Sequence, residues 1–371
     1  MPPINVLIKP ASSACNLRCQ YCFYYDESQK RSQSNYGMMS AATLETIVRK
    51  ALEYGETQVG FAFQGGEPTL AGLDFYRKLL ELQQKYNGKR VTISNSIQTN
   101  GMLIDTDWAQ FLAENHFLVG LSLDGPKDIN DLNRIDAQGK GSYNRVAKTV
   151  ALFNQCRVEY NVLSVVTKPV ARHIGQVYNF LVKQGFQYLQ FIPCLDGLGE
   201  TPGQNLYSLT PELYEDFLKR LFDLWYRDFQ NGRWISIRMF DNILQLLLGY
   251  PPESCDMKGR CSANPVIEAD GSVYPCDFYV LDRWKMGNVL TANFAEMLQS
   301  ETARAFVAVS DEIAVQCGAC QFYPVCHGGC RRHHEPIVDR IAQKNYFCSA
   351  YQGFYQYALP RFYEVVREIG R

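Results

Sequence analysis

An alternation constrains this chain most. Between Ile4 and Phe229, short apolar runs and amphipathic stretches take turns six times. The apolar runs are Ile4–Ile8, Val59–Phe63, Val91–Gln98, Leu118–Leu123, Tyr160–Val166 and Tyr188–Leu195. Helical stretches follow at Ser40–Tyr54, Leu73–Tyr86, Asp105–Asn115, Asn144–Gln155, His173–Lys183 and Glu212–Phe229, with Ser40 placed to cap the first. Regular alternation of this kind means parallel strands joined by right-handed helical crossovers. Six units, where a closed barrel has eight, predict an α/β fold with an open, partial (β/α)6 barrel. The pattern stops near Trp234, and Pro251-Pro252 breaks the chain after Ile243–Leu248. Two domains are expected: a partial barrel over 1–234, and over 235–371 a cysteine-rich domain with little regular structure and a terminal helix.

In such folds the site lies at the C-terminal ends of the strands. Cys15-Asn-Leu-Arg-Cys19-Gln-Tyr-Cys22 follows the first strand and Gln64-Gly65-Gly66-Glu67-Pro68 the second. Thr99-Asn100-Gly101 follows the third, Ser122-Leu123-Asp124-Gly125 ends the fourth, and Pro193-Cys194-Leu195 ends the sixth. Five strand ends with polar or glycine-rich chemistry read as one mouth.

Composition narrows the class. A net charge of −1 gives no basic footprint for nucleic acid. No apolar run approaches the roughly 18 residues of a membrane span. The start, Met-Pro-Pro-Ile-Asn-Val, lacks a signal peptide's basic head and apolar core, so a cytoplasmic protein is expected. There, thirteen cysteines argue for metal or catalysis over disulfides. Three of them, Cys15, Cys19 and Cys22, can hold three irons of a four-iron cluster and leave the fourth open for chemistry. Zinc sites usually pair C-x2-C with a distant pair, and no further cysteine precedes Cys156. Eight more fall within 94 residues: Cys255, Cys261, Cys276, Cys317, Cys320, Cys326, Cys330 and Cys348. They suffice for two fully ligated four-cysteine sites, of iron–sulfur or of zinc; spacing leaves both open. Cys156 and Cys194 remain and read as buried, inert thiols.

The C-x3-C-x2-C spacing resembles that of the radical S-adenosylmethionine (SAM) superfamily, and Gly65-Gly66-Glu67-Pro68 resembles its GGEP segment. There SAM fills the open iron, and an electron from the cluster breaks its sulfonium to give a 5′-deoxyadenosyl radical. The resemblance implies that Gly65, Gly66 and Glu67 face SAM's ammonium, that Ser122 and Arg134 hold its carboxylate and ribose side, and that Tyr21 and the backbone near Leu195 flank the adenine. The second cysteine group resembles the SPASM domain. By that likeness Cys255, Cys261, Cys276 and Cys330 hold one auxiliary [4Fe–4S] cluster, and Cys317, Cys320, Cys326 and Cys348 another. The cofactors implied are three [4Fe–4S] clusters and SAM.

The whole chain, with Tyr274-Pro275-Cys276-Asp277-Phe278-Tyr279, is similar to the anaerobic sulfatase-maturating enzymes. These oxidise a cysteine or serine of a Cys/Ser-x-Pro-x-Arg segment in a client sulfatase to Cα-formylglycine. The resemblance implies a radical that takes hydrogen from the target Cβ, a base for the thiol or hydroxyl proton, and an auxiliary cluster that accepts the second electron. Asp277, next to a cluster cysteine, is the expected base. Asp124, Glu67 and Asp196 are rival carboxylates at strand ends. His333-His334, in the basic run Arg331-Arg332-His333-His334, reads as solvated surface. Expected partners are the unfolded or nascent client and an electron donor such as flavodoxin or ferredoxin. Neither nucleic acid nor membrane is expected, and without coiled-coil heptads a monomer is.

Two other readings compete. One is a SPASM peptide maturase that makes thioether or carbon–carbon links in a ribosomal peptide. Such enzymes often carry an N-terminal recognition domain, for which a first strand at Ile4 leaves no room. The other is a non-enzymatic iron–sulfur electron carrier or zinc-binding module, which leaves Gly65-Gly66 and the three-cysteine site unexplained.

Overall fold

The computed structural model describes residues 3–338 and 341–370. In chain order its elements are β1 (Ile4–Ile8), α1 (Phe23–Gln29), α2 (Ala41–Tyr54), β2 (Gln58–Phe63), α3 (Leu73–Tyr86), β3 (Thr92–Thr99), α4 (Thr106–Glu114), β4 (Leu118–Ser122), α5 (Lys127–Asn133), α6 (Tyr143–Cys156) and β5 (Tyr160–Val166). Then come α7 (Lys168–Arg172), α8 (Ile174–Lys183), β6 (Tyr188–Pro193), α9 (Pro211–Gln230), β7 (Ser236–Ile237), α10 (Arg238–Leu247), β8 (Val266–Ile267), β9 (Ser272–Tyr274), β10 (Gly287–Asn288), α11 (Phe294–Leu298), α12 (Glu301–Cys317), α13 (Tyr323–Cys326) and α14 (Cys348–Ile369). All six expected strands and helices are present, in an α/β fold with mainly parallel pairing. The alternation does not stop at Trp234. A two-residue strand, β7, and α10 add a seventh short unit, and two residues carry no periodic signal.

The chain forms two compact units, each assembled from three separate stretches. One takes Met1–Ser122, Arg134–Tyr160 and Ala263–Phe306; the other takes Leu123–Asn133, Asn161–Ser262 and Val307–Arg371.

In the first unit the strand order is β10-β9-β8-β1-β2-β3-β4. Strands β1 to β4 are parallel, β8 runs parallel to β1, and β9 and β10 turn back antiparallel. Alternation sets the faces: Ile4, Val6 and Ile8 are buried. Ser40 caps α2 by accepting from the Thr43 N–H, as expected, and Leu44, Ile47, Val48 and Ala51 form the helix's buried stripe. Late in the sequence, Val266 and Ile267 pair with Leu7 and Ile8. An open strand edge invites stray pairing. Here β8 covers that edge, and Cys276 and Asp277 follow directly after β9.

In the second unit β5, β6 and β7 pair in parallel. Helix α9 packs on α14 around an aromatic core. Phe222 and Phe362 have ring centres 4.7 Å apart, and Trp225 and Phe240 stand at 5.3 Å. The expected terminal helix is α14. The run Arg331 to His334 is not solvated surface: all four residues are buried in a tight turn. Arg332 Nη2 donates to the Asp196 carbonyl at 2.8 Å. The ring nitrogens of His334 lie 2.7 and 2.8 Å from the Gln343 and Gly328 carbonyls. His333 stands edge-on to Phe347, and burial pushes its pKa down to about 3. Charge in sequence did not reveal that carbonyl oxygens were waiting for it. Cys194 is buried as expected, whereas Cys156 is only half-buried.

Candidate active site

The three-cysteine loop runs from β1 into α1. Cys22 caps α1, and its Sγ accepts from the Tyr25 N–H at 3.4 Å. Cys15 Sγ accepts from the Leu17 N–H at 3.4 Å and from Asn100 Nδ2 at 3.7 Å. Hydrogen bonds of this kind favour negative sulfur and tune a cluster. Burial pushes the Cys15 thiol up to about 12 and raises that of Cys22. Such thiols give up their protons to a metal, which lowers a coordinated thiol's pKa outright.

The turn after β2 underpins this loop. Gly66 N–H donates to the Ser12 carbonyl at 2.9 Å, and Glu67 N–H to that of Ala14 at 2.8 Å. Gly65 has φ +134°, and a Cβ on Gly66 would stand 1.9 Å from the Ala14 oxygen. The glycine pair thus lets the cysteine loop lie directly on the turn.

The four strand-end carboxylates separate clearly. Glu67 Oε1 accepts from Thr69 N–H (3.0 Å), Thr69 Oγ1 (2.6 Å) and Thr99 Oγ1 (2.7 Å), and Oε2 from Asn100 N–H (2.8 Å). Burial raises its pKa and these donors oppose the rise, so Glu67 is a buried knot between two turns. Asp124 Oδ1 accepts from the Val165 N–H at 3.0 Å within a buried site. Asp196 ties its own loop, accepting from Gly203 N–H (2.9 Å), Asn205 Nδ2 (3.0 Å) and Ser208 Oγ. Asp277 keeps 16% of its side chain open. Its Oδ1 pairs with the Lys9 ammonium, and its Oδ2 accepts from Gln64 Nε2 at 2.7 Å.

Lys9 was not singled out in the sequence. It is fully buried, with its ammonium 3.6 Å from the centre of the Tyr24 ring. The Tyr24 hydroxyl bonds to Glu268, which accepts from Arg31 Nη1 at 2.7 Å. The only signal for Lys9 was a cation directly after an apolar strand.

Ser122 accepts from Gln98 Nε2 at 3.0 Å. The Arg134 guanidinium stands 5.7 Å from the Tyr21 ring centre. The Arg18 N–H donates to the Ile135 carbonyl at 2.6 Å, which ties the cysteine loop to the segment bearing Arg134. Leu195 belongs to the second unit.

Also in the second unit, Cys317, Cys320, Cys326 and Cys348 line one cavity of about 350 Å³. Four thiols around one cavity suit a cluster with a cysteine at each iron. Cys330 Sγ accepts from the Arg332 N–H at 3.4 Å. Burial first, then nearby Asp256, Cys255 and Cys261, raise the Cys330 pKa. Cys276 belongs to the first unit. Among the described residues no three of His, Cys, Asp or Glu gather closely enough for a single metal ion. A four-iron cluster, with one thiolate at each corner, needs no such gathering.

Comparison with known proteins decides the family. Residues 10–181 match the radical SAM superfamily and residues 255–321 the SPASM iron–sulfur cluster-binding domain. The chain is 48% identical over 369 residues to a cysteine-type anaerobic sulfatase-maturating enzyme of Clostridium perfringens, covering 100% of both. The chain belongs to the anaerobic sulfatase-maturating enzymes. With its radical SAM and SPASM domains the chain takes SAM and three [4Fe–4S] clusters as cofactors. Its identity to the cysteine-type enzyme of Clostridium novyi is 49%, covering 96% of this chain and 95% of the other. Against the serine-type enzyme of Bacteroides thetaiotaomicron it is 32%, covering 96% and 90%. The solved structure described as native anSMEcpe with bound AdoMet and Cp18Cys peptide superposes with a TM-score of 0.95 at 47% identity, covering 99% of this chain and 100% of that one. Streptococcus suis SuiB bound to its precursor peptide SuiA shares the fold, with a TM-score of 0.64 at 18% identity over 94% of this chain and 76% of its own. Among the described residues no helix is long and apolar enough to cross a membrane.

Proposed function

We propose that this enzyme converts a cysteine in a Cys-x-Pro-x-Arg segment of a client sulfatase to Cα-formylglycine. The observation that carries this is full-length identity of 47–49% to cysteine-type sulfatase-maturating enzymes, against 32% to serine-type ones. The family likeness assigns the SAM-side cluster to Cys15, Cys19 and Cys22. It assigns the auxiliary clusters to Cys317, Cys320, Cys326 and Cys348, and to Cys255, Cys261, Cys276 and Cys330. When bound, SAM and its cluster supply a hydrogen-atom abstractor, and the auxiliary clusters supply an electron acceptor.

The chain's own residues do the rest. Asp277 takes the proton of the target thiol on a carboxylate oxygen, and Lys9 and Gln64 hold that carboxylate in place. Tyr21, Gly65, Gly66, Glu67, Ser122 and Arg134 form the SAM side, with Glu67 acting by fixing its turn. An arginine such as Arg134 suits a carboxylate because its fork donates two parallel hydrogen bonds. The client enters as an extended or nascent segment, and a low-potential carrier such as flavodoxin or ferredoxin delivers the first electron.

The test is anaerobic. The protein is reconstituted with iron and sulfide and given SAM, a reductant and a Cys-x-Pro-x-Arg peptide. Mass spectrometry should find 5′-deoxyadenosine together with an aldehyde at the target residue. Deoxyadenosine with an unchanged peptide would point to another peptide substrate, as in the crosslinking maturases. Failure to form deoxyadenosine at full iron loading would refute the reading.

A further inference from the structure

Gln98 is one residue from the end of β3, and its partner across the ladder is Gly120 of β4. A Cβ on Gly120 would stand 2.0 Å from Gln98 Oε1 and 2.9 Å from its Cδ. The amide therefore lies flat across a bare glycine of the neighbouring strand. From there Nε2 reaches Ser122 Oγ, two residues further along the same face of β4. A serine hydroxyl has one proton and two lone pairs. Gln98 fills one lone pair, and among the described residues no acceptor takes the Ser122 proton. Ser122 is thereby left as a donor at the end of β4.

We propose that Gln98 is a positioning residue for SAM. It holds the Ser122 hydroxyl in the sense that donates to an acceptor oxygen on the carboxylate and ribose side of the ligand. This rests on the reading that Ser122 contacts SAM. The geometry also explains why glutamine, and not another side chain of its size, stands here. Methionine would fill the space over Gly120 without donating. An ionised glutamate would accept where the amide donates, draw the Ser122 proton inward and set a negative charge beside an anionic ligand group.

The experiment measures the SAM dissociation constant by anaerobic equilibrium dialysis on the cluster-loaded full chain. Parent, Ser122→Ala, Gln98→Met, Gln98→Glu and the Ser122→Ala/Gln98→Met double variant are compared, with iron content and melting temperature recorded for each. Loss of one hydrogen bond to a charged group should weaken binding roughly 10-fold in Ser122→Ala. Gln98→Met should weaken it severalfold. Gln98→Glu, nearly the same size, should weaken it at least as much as Ser122→Ala at parent-like iron content and melting temperature. The double variant should bind no worse than Ser122→Ala, because Gln98 acts through Ser122. In turnover, the KM for SAM should rise more than kcat falls. Parent-like affinity in Gln98→Glu beside a weakened Ser122→Ala would overturn the proposal, as would effects that multiply in the double variant. Parent-like affinity in Ser122→Ala would instead remove the underlying reading of Ser122, and the proposal with it.

Discussion

The buried ammonium of Lys9 closes on the carboxylate of Asp277, 268 residues further along the chain. Neither is near the other in sequence. Pairing of β8 with β1 brings them together, since Lys9 follows β1 and its N–H donates to the Ile267 carbonyl at 2.8 Å. A buried lysine charge is costly unless it is paired. Asp277 and the face of Tyr24 offset that cost.

Asp277→Asn should therefore do two things. It should abolish aldehyde formation while SAM cleavage persists. It should also leave the Lys9 charge without its counter-ion and lower stability by about 3 kcal/mol. Adding Lys9→Met should restore much of the stability and none of the oxidation. Denaturant unfolding and peptide mass spectrometry, run on the same preparations, separate the two effects. Aldehyde at near the parent rate from Asp277→Asn would exclude it as the base.

Gly66→Ala places a methyl group 1.9 Å from the Ala14 oxygen, and that oxygen is backbone. The cysteine loop must lift off its turn. Reconstituted protein should lose about four irons per chain, one cluster's worth, and should no longer cleave SAM. Iron analysis beside a deoxyadenosine assay checks this.

Cys348→Ala removes one of the four thiols around the 350 Å³ cavity. Iron should again fall by about four per chain, but deoxyadenosine formation should continue. Complete loss of SAM cleavage at intact SAM-side iron would contradict a separate auxiliary role.

Phe362→Ala empties the centre of the aromatic core between α9 and α14, where Phe362 meets both Phe222 and Trp225. Destabilisation of about 3–5 kcal/mol is expected, read from the shift of the unfolding midpoint.

Burial raises the Asp241 pKa to about 6, against a hydrogen bond from Ser236 that lowers it. Between its ordinary value and about 6, the folded state holds a proton that the unfolded state has lost. Stability should therefore fall as pH rises through that window and level off above it. Asp241→Asn should remove the dependence, a difference of up to about 3 kcal/mol at neutral pH. Unfolding midpoints at pH 4.5 and 7 for both proteins check the sign.

The six β/α units were legible because parallel strands and their crossover helices write themselves as local periodicity. The cysteine motifs of the radical SAM and SPASM domains were legible because their spacing is local. The short elements α1, α7 and β7 carried too few residues for any period to show. The buried run Arg331–His334 misled because burial depends on carbonyls that come from elsewhere in the chain.

By itself, the sequence determined the α/β class, the radical SAM and SPASM domains and the cofactors they take. These depend on spacing within a segment or on side chains with no substitute. Only the tertiary structure decided which of four strand-end carboxylates stays open. Glu67 and Asp196 take donors from neighbouring turns and Asp124 takes one from β5, while Asp277 meets Lys9 and Gln64 with part of its side chain exposed. That choice rests on strand pairings between residues hundreds of positions apart, and local sequence does not encode long-range register.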